Sequence, residues 1–444
     1  MRRLICILLF YPFTLSPLSA QTLEECQQAA ERNYPLIQQY GLIEKTTELT
    51  VANLQKGWLP QVSATAQATY QSDVTAFPEQ MQKMYQTMGI DMEGIRKDQY
   101  RIGIDVQQTV YDGGAISRQK SIARQQGSMQ AAQNEVNIYN VRKRVNEMYF
   151  GLLLTDERIA LNKDLQRLLE QNEKKLASMV KNGTAAESDY LNVKAERLNV
   201  AQQMTSLLAQ RQTLTRMLGA FCGRPTPNPS LNGGEIIPIK PEIQKSMEYL
   251  LPSLQGGAGG GSRPELRAID AQLRLTDAQE KALSVGLMPR LGVFAQGFYG
   301  YPGYNLFEDM MRRKFSWNGM VGARLTWNIG ALYTQKNDKA KLNVQRSALQ
   351  VQRETFLFNN RLEQIQQNEN IERYRKLMAD DEAIISLRSA VRKAAESKLA
   401  HGIIDVNDLL KEINNESAAR VSRSMHEIQM LKEIYDLKYA KGEK

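Results

Sequence analysis

Four thioethers are the chain's most reactive pattern. Met81, Met84, Met88 and Met92 recur at three- or four-residue intervals that stack them on one helical face, and soft sulfur ligands select Cu(I). Asp309, Met310 and Met311 stand in a second segment that could lie beside the first. The plainer reading is packing, since methionine fills irregular gaps and such a stripe seats a short loop helix against its neighbour. Other chemistry has less to stand on. His401 and His426 are the only histidines, and neither has a partner at metal-ligand spacing. Neither a nucleophile elbow nor a phosphate loop occurs, and the glycine run over 256–261 leads into Ser262-Arg263-Pro264 instead of a helix-opening fingerprint. Cys26 and Cys222 could pair in an oxidising compartment or stand apart, and nothing in their spacing brings them together. The expectation is a protein that is not an enzyme and holds no cofactor or resident metal.

Composition points the same way. Over 444 residues only 7% are aromatic, and the longest segments are built from Gln, Leu, Ala, Lys, Arg and Glu, the material of long helices. The net charge of +9 is spread among interleaved acids, which describes solvated helical faces and argues against nucleic acid as a partner. The start of the chain reads as an export signal over 1–20: Met1-Arg2-Arg3, an apolar stretch from Leu4, then Leu18-Ser19-Ala20 as cleavage site before Gln21. Gln21 is not a cysteine, so no lipid anchor is expected there. No other run approaches 18 apolar residues, the least a membrane helix requires.

The chain states its plan twice. Pro35 and Pro264 each open a segment that reaches another proline, Pro60 and Pro289, and Leu54/Leu283, Gly57/Gly286, Ala66/Ala295, Gln67/Gln296 and Tyr70/Tyr299 fall in register. A repeat of half the chain is a duplicated unit and not a solenoid. The first copy spans 21–225, the second 263–444, and 226–262 is a Pro- and Gly-rich linker. Each copy holds two strand-like stretches, over 60–72 and 100–111, then 289–301 and 316–328. Val62, Ala64, Ala66, Ala68 and Tyr70 alternate with Ser63, Thr65, Gln67, Thr69 and Gln71; Ile102, Ile104 and Val106 alternate with Arg101, Gly103, Asp105 and Gln107; and Val321, Ala323, Leu325 and Trp327 alternate with Gly322, Arg324 and Thr326. In the third stretch Phe294 and Phe298 break the pattern on the polar side. This is the signature of strands with lipid on one side and water on the other, with aromatic residues near their ends. It is also the signature of a half-buried soluble sheet. Four strands cannot close a membrane barrel, so a membrane reading requires several chains.

The strands run into long helices. Residues 115–181 and 332–398 lack proline, and a continuous helix of that extent would be roughly 100 Å long. Val141, Val145, Met148, Leu152 and Ile159 form a heptad-like seam, and the return helices offer Leu191, Ala195, Leu198, Ala201 and Leu208 in the first copy and Leu409, Ile413, Val421 and Ile428 in the second. The turns between are Asn182-Gly183 and His401-Gly402, each followed six residues later by an acid, Asp189 or Asp408. Glycine suits a left-handed helix end, and a carboxylate suits the first turn of the next helix.

Taken together, the strand entries Gly57-Trp58-Leu59-Pro60 and Gly286-Leu287-Met288-Pro289, the exit Tyr111-Asp112-Gly113-Gly114 and the paired Gly183/Asp189 and Gly402/Asp408 turns resemble the outer membrane efflux protein family, the TolC-like channels of Gram-negative bacteria. The likeness covers 22–441. It implies a mixed fold in which three chains share a 12-stranded outer-membrane β-barrel continued by a periplasmic α-barrel of helical hairpins. It implies a homotrimer embedded in outer-membrane lipid, docked to a periplasmic adaptor and an inner-membrane transporter, passively conducting small toxic compounds or secreted polypeptides. Asn182, Gly183, Asp189, His401 and Gly402 would then lie at the tips that meet the adaptor. Asp408 matches an acidic position of the entrance, whereas Ile404 stands where some members carry Arg, Leu399 replaces a Tyr and Lys411 replaces a second acid. Asp405, Asp408 and Lys411, clustered beside the turn, are the candidate entrance network. A soluble periplasmic coiled-coil adaptor or scaffold with a small β-domain is the alternative.

Overall fold

The computed structural model describes residues 22–90, 94–223 and 263–443. The expected export signal over 1–20, Met92 and the linker 226–262 lie outside the described residues. In chain order the elements are α1 (Leu23–Asn33), α2 (Gln39–Gln55), β1 (Gln61–Tyr70), α3 (Glu79–Thr87), β2 (Asp98–Tyr111), α4 (Ala115–Lys181), α5 (Glu187–Phe221), α6 (Pro264–Leu283), β3 (Arg290–Tyr301), α7 (Leu306–Arg312), β4 (Ser316–Thr326), α8 (Ala331–Ala400) and α9 (Val406–Lys441). Two compact units divide them: one from Met1–Gln39, Gln133–Arg267 and Arg353–Lys444, the other from Tyr40–Ala132 and Ala268–Gln352.

The first unit is helical. Thr22 starts α1 with a reciprocal capping box, its hydroxyl accepting from the Glu25 amide while the Glu25 carboxylate accepts from its own. Leu23, Cys26 and Ala30 then recur on one face of α1 and are buried against Val141, Val145, Tyr149 and Leu152 of α4, with Leu218 of α5 and Ile428 and Leu431 of α9. The heptad-like residues of α4, Val141 through Ile159, are all buried as their spacing implies. So are Leu409, Ile413 and Ile428 of α9, with Val421 partly buried. In α5 the expectation fails. Leu191, Leu198 and Leu208 are exposed, and Val193, Val200 and Leu218 are the residues that pack. The fold also brings Cys26 and Cys222 into one cluster, where the Cys222 thiol lies 3.8 Å from the Cys26 carbonyl oxygen.

Arg263 ties the chain down at the start of α6. Its guanidinium is buried, paired with Glu265, donates to the Tyr439 carbonyl at 2.8 Å and lies over the rings of Tyr139, Phe356 and Tyr439. Burial pushes its pKa down, and the Glu265 carboxylate outweighs that and holds it above the ordinary value.

The second unit carries the sheet. Helices α2 and α6 each tighten into a 3-10 turn, Lys56–Trp58 and Ser284–Leu287, and the residue before each proline is extended, Leu59 at ψ 152° and Met288 at ψ 141°, because the proline ring excludes the helical region for its predecessor. That is how each Pro60 and Pro289 entry converts a helix into a strand. The four strands pair antiparallel in the order β1-β2-β3-β4, so β1 and β4 are its two edges. At the exit of β2, Gly113 and Gly114 take positive φ and Asp112 turns its carboxylate onto the amides of Gly114 and Ile116, both at 2.7 Å, capping α4. Among the described residues no helix is long and apolar enough to cross a membrane.

Candidate functional site

Register decides what the sheet can do. Val62 pairs with Val106, Ala64 with Ile104 and Ala66 with Ile102; Ile102 pairs with Tyr299 and Val106 with Ala295; Ala295 pairs with Val321 and Leu291 with Leu325. Every apolar member of the alternation therefore falls on one face of the sheet. None of the described residues covers that face: Val62 is 66% exposed, Ile102 62%, Val321 82% and Trp317 82%. The opposite face bears Ser63, Thr65 and Gln67 of β1, Arg101, Asp105 and Gln107 of β2, Gln296 of β3, and Asn318 and Arg324 of β4. Its polar groups are cross-linked, with Thr65 donating to Asp105 at 3.2 Å and Gln296 donating to the same carboxylate at 2.6 Å.

The two loops pack on each other. Ile95, Tyr301 and Met310 are buried together with Val74 and Phe77 alongside. The Tyr301 hydroxyl accepts from the Arg96 amide at 3.1 Å and donates to the Asp309 carbonyl at 3.2 Å. Asp309 is buried, which pushes its carboxyl above the ordinary value, while its acceptance of the Gly303 amide at 2.6 Å pulls the other way. The second loop bends over the polar face, where the Tyr304 amide donates to Asn318 at 2.7 Å and its hydroxyl to Gln296 at 3.2 Å. The thioether stripe does not pack as expected. Met81, Met84 and Met88 are exposed, and it is Tyr85 of α3 that meets Phe77, with ring centroids 5.8 Å apart. Met310 is buried and Met311 exposed.

The turns of the helical unit are built alike and capped differently. Gly183 and Gly402 have φ of +71° and +70°, and the residue after each donates back across the turn, Thr184 to Met179 and Ile403 to Lys398, both at 2.9 Å, the arrangement in which a left-handed glycine ends a helix. Asp405 is the N-cap of α9, accepting from the Asp408 amide at 2.9 Å. Ala186, its counterpart before α5, offers no side-chain cap. Asp189 and Asp408 both lie in the first turn of their helices. Asn182, Gly183, His401, Gly402, Asp405, Asp408 and Lys411 are exposed and Asp189 is half-buried, and among the described residues no ion pair joins Lys411 to either aspartate within the chain. Beneath the turns Leu169, Leu176, Val193, Val406, Leu409 and Ile413 form one apolar cluster, with Leu399 and Ile404 packed against it. Asn192 donates to Asn407 at 3.3 Å and Asn414 to Glu196 at 3.1 Å, joining α5 to α9.

No family model matches the sequence, and no curated protein does. Solved structures do. The CmeC outer membrane channel of Campylobacter jejuni is similar over 95% of this chain and 85% of its own, with TM-score 0.61 at 14% identity. The outer membrane protein VceC of Vibrio cholerae is similar over 95% of this chain and 96% of its own, with TM-score 0.62 at 13% identity. The MtrE outer membrane channel of Neisseria gonorrhoeae, in its open state, is similar over 95% and 89%, with TM-score 0.61 at 14% identity. The chain has the fold of an outer-membrane channel.

Within this channel fold, the structural reasons for two features escaped the sequence reading. The first is the pair of phenylalanines on the polar face, whose reason lies across the strands: Phe298 pairs with Gly103 and Phe294 with Gly322. The signal was present, as glycines inside strand-like stretches mark a close approach, but the partners could not be named before the register was known. The second is the role of Ile404 and Leu399, which serve the apolar cluster under the turn in the positions where some members of the resembled family carry polar groups.

Proposed function

We propose that this chain is one subunit of a trimeric outer-membrane conduit of a Gram-negative bacterium, in which three four-stranded sheets join edge to edge into one 12-stranded barrel. The observation that carries it is the uncovered apolar face of the sheet between two unpaired edge strands. In lipid that face needs no protein cover, while an open edge leaves each backbone group unsatisfied at a cost of several kcal/mol. Pairing β4 of one copy with β1 of the next removes every edge. A soluble scaffold would have to bury the same face, and no part of the described chain does so.

In this role the protein is passive. Solutes handed over by an inner-membrane transporter and its periplasmic adaptor pass through the polar-faced lumen. The turns at Asn182, Gly183 and Asp189 and at His401 and Gly402 serve as the docking surface. Asp405, Asp408 and Lys411 line the entrance and make their ion pairs with neighbouring copies, since among the described residues Lys411 pairs with neither aspartate and Asp405 only caps α9 through the Asp408 amide.

The edge pairing is tested by placing cysteine at Thr65 in β1 and scanning a second cysteine along β4 from Gly319 to Ala323, with the parent chain, whose own cysteines are buried, as control. One position of the scan is expected to give oxidised species of up to three linked chains and none larger. Failure of every position to link chains in membranes would remove the shared barrel.

A further inference from the structure

The polar face of the sheet carries the same small device twice. On β2, Gly103 faces Phe298, and a methyl group added there would approach the Phe298 Cβ to 2.7 Å. On β4, Gly322 faces Phe294, and a methyl group there would approach the ring at 2.8 Å. Each glycine thus makes room for an aromatic side chain from β3, as aromatic residues cover bare glycine in other sheets. Two residues from each glycine stands an arginine whose guanidinium lies on that ring: Arg101 over Phe298 with its carbon 4.7 Å from the ring centroid, and Arg324 over Phe294 at 5.1 Å. Tyr304 closes the other side of Phe298 edge-on, at 5.2 Å.

Neither arginine has an acid partner among the described residues. The one carboxylate on this face of the strands, Asp105, accepts from Thr65 and Gln296. A third cation of the same face, Arg290, pairs across to Thr326 and is exposed. The described strands therefore present three arginines and one aspartate to that side. A guanidinium spread on a ring keeps its charge and one free plane, and gives up little rotamer freedom when it meets an anion.

We propose that Arg101 and Arg324 line the lumen as a ring of fixed, unneutralised guanidiniums that admits small organic anions in preference to cations. This rests on the barrel proposed above, in which three copies place six such groups around one water-filled path. Rings of arginine set anion selectivity in pores, and at ordinary salt a charge acts over about 10 Å, enough to reach across a narrow lumen. The exported solutes suited to it carry carboxylate, sulfonate or phosphate groups.

The test is the reversal potential of the purified full-length protein in planar bilayers under a steep KCl gradient. The parent channel is expected to favour chloride. An Arg101→Gln, Arg324→Gln variant is expected to shift the permeability ratio toward potassium by about threefold or more, and the Arg101→Lys, Arg324→Lys variant to retain most of the parent's preference. All three share the same hairpin turns, so their difference isolates the barrel, and an unheated gel shows whether each remains assembled. A conducting parent that prefers potassium, or a Gln variant with unchanged selectivity, overturns the inference while leaving the conduit standing. A parent that assembles no conducting pore overturns both.

Discussion

Glu416 carries a large part of the helical unit's electrostatics on a single side chain. It sits in α9, nearly buried, hydrogen-bonded to Arg392 of α8 and to Arg420 one turn on at 2.8 Å, while Arg392 also meets Glu396. Burial alone would push its carboxyl up. The hydrogen bonds from Arg420 and Arg392 outweigh that and hold it below the usual carboxylate range. A depressed folded-state pKa means stability that is present above the unfolded value, about 4.3, and lost as pH falls through the folded one. Glu416→Gln is expected to weaken the α8–α9 hairpin at neutral pH by about 1–3 kcal/mol, with Arg420 contributing less than Arg392 because it is half exposed. The difference from the parent should shrink in acid below the carboxylate range. Amide hydrogen exchange along α9 at both pH values measures it, and an equal deficit at the two would place the effect in packing and not in charge. The sequence had named Asp405, Asp408 and Lys411 beside the turn as the candidate entrance network. Glu416 was invisible there because Arg392 lies 24 residues away across the turn, and only the pairing of α8 with α9 sets one against the other.

At the scale of elements, strands and long helices were legible because their signals are local: period-two alternation, prolines at the strand entries, glycines at the turns, and proline-free runs. The choice between two apolar stripes on one helix was not. On α5, Leu191 and Leu198 are seven residues apart and exposed, whereas Val193 and Val200, also seven apart, are buried. On α8, Val344, Val351, Phe358 and Ile365 keep the same interval and are 70%, 61%, 63% and 50% exposed. Heptad spacing declares that a helix has a partner, and both stripes declare it. Which stripe the chain covers for itself and which it leaves exposed depends on contacts far apart in sequence. The two kinds of stripe should answer differently to substitution. Leu152→Ala, inside the α4 seam, is expected to cost about 2–5 kcal/mol of the chain's own stability. Phe358→Asp, on the exposed stripe of α8, should leave helical content by circular dichroism intact and abolish association between copies in detergent. A trimer that survives Phe358→Asp would mean that this face is a solvent or lumen surface.

For the whole molecule, the described surfaces are what the proposed assembly rests on. The described residues offer four strands with two open edges, an apolar sheet face that none of them covers and helices with exposed apolar stripes. Each of these is costly alone, and the proposed trimer in a membrane would resolve them together. The resemblance read from the proline, glycine and aspartate positions and the similarity to solved outer-membrane channels agree on the fold. The central claim is therefore about number and place. The most direct measurement is the mass and heat sensitivity of the protein extracted by detergent from fractionated outer membranes, by light scattering and unheated gel electrophoresis. Three chains of 50.4 kDa, less the export signal, should appear as a heat-sensitive species of roughly 150 kDa in the outer-membrane fraction. A monomer or dimer recovered in the soluble periplasmic fraction would contradict the account, since its strands would then never meet lipid.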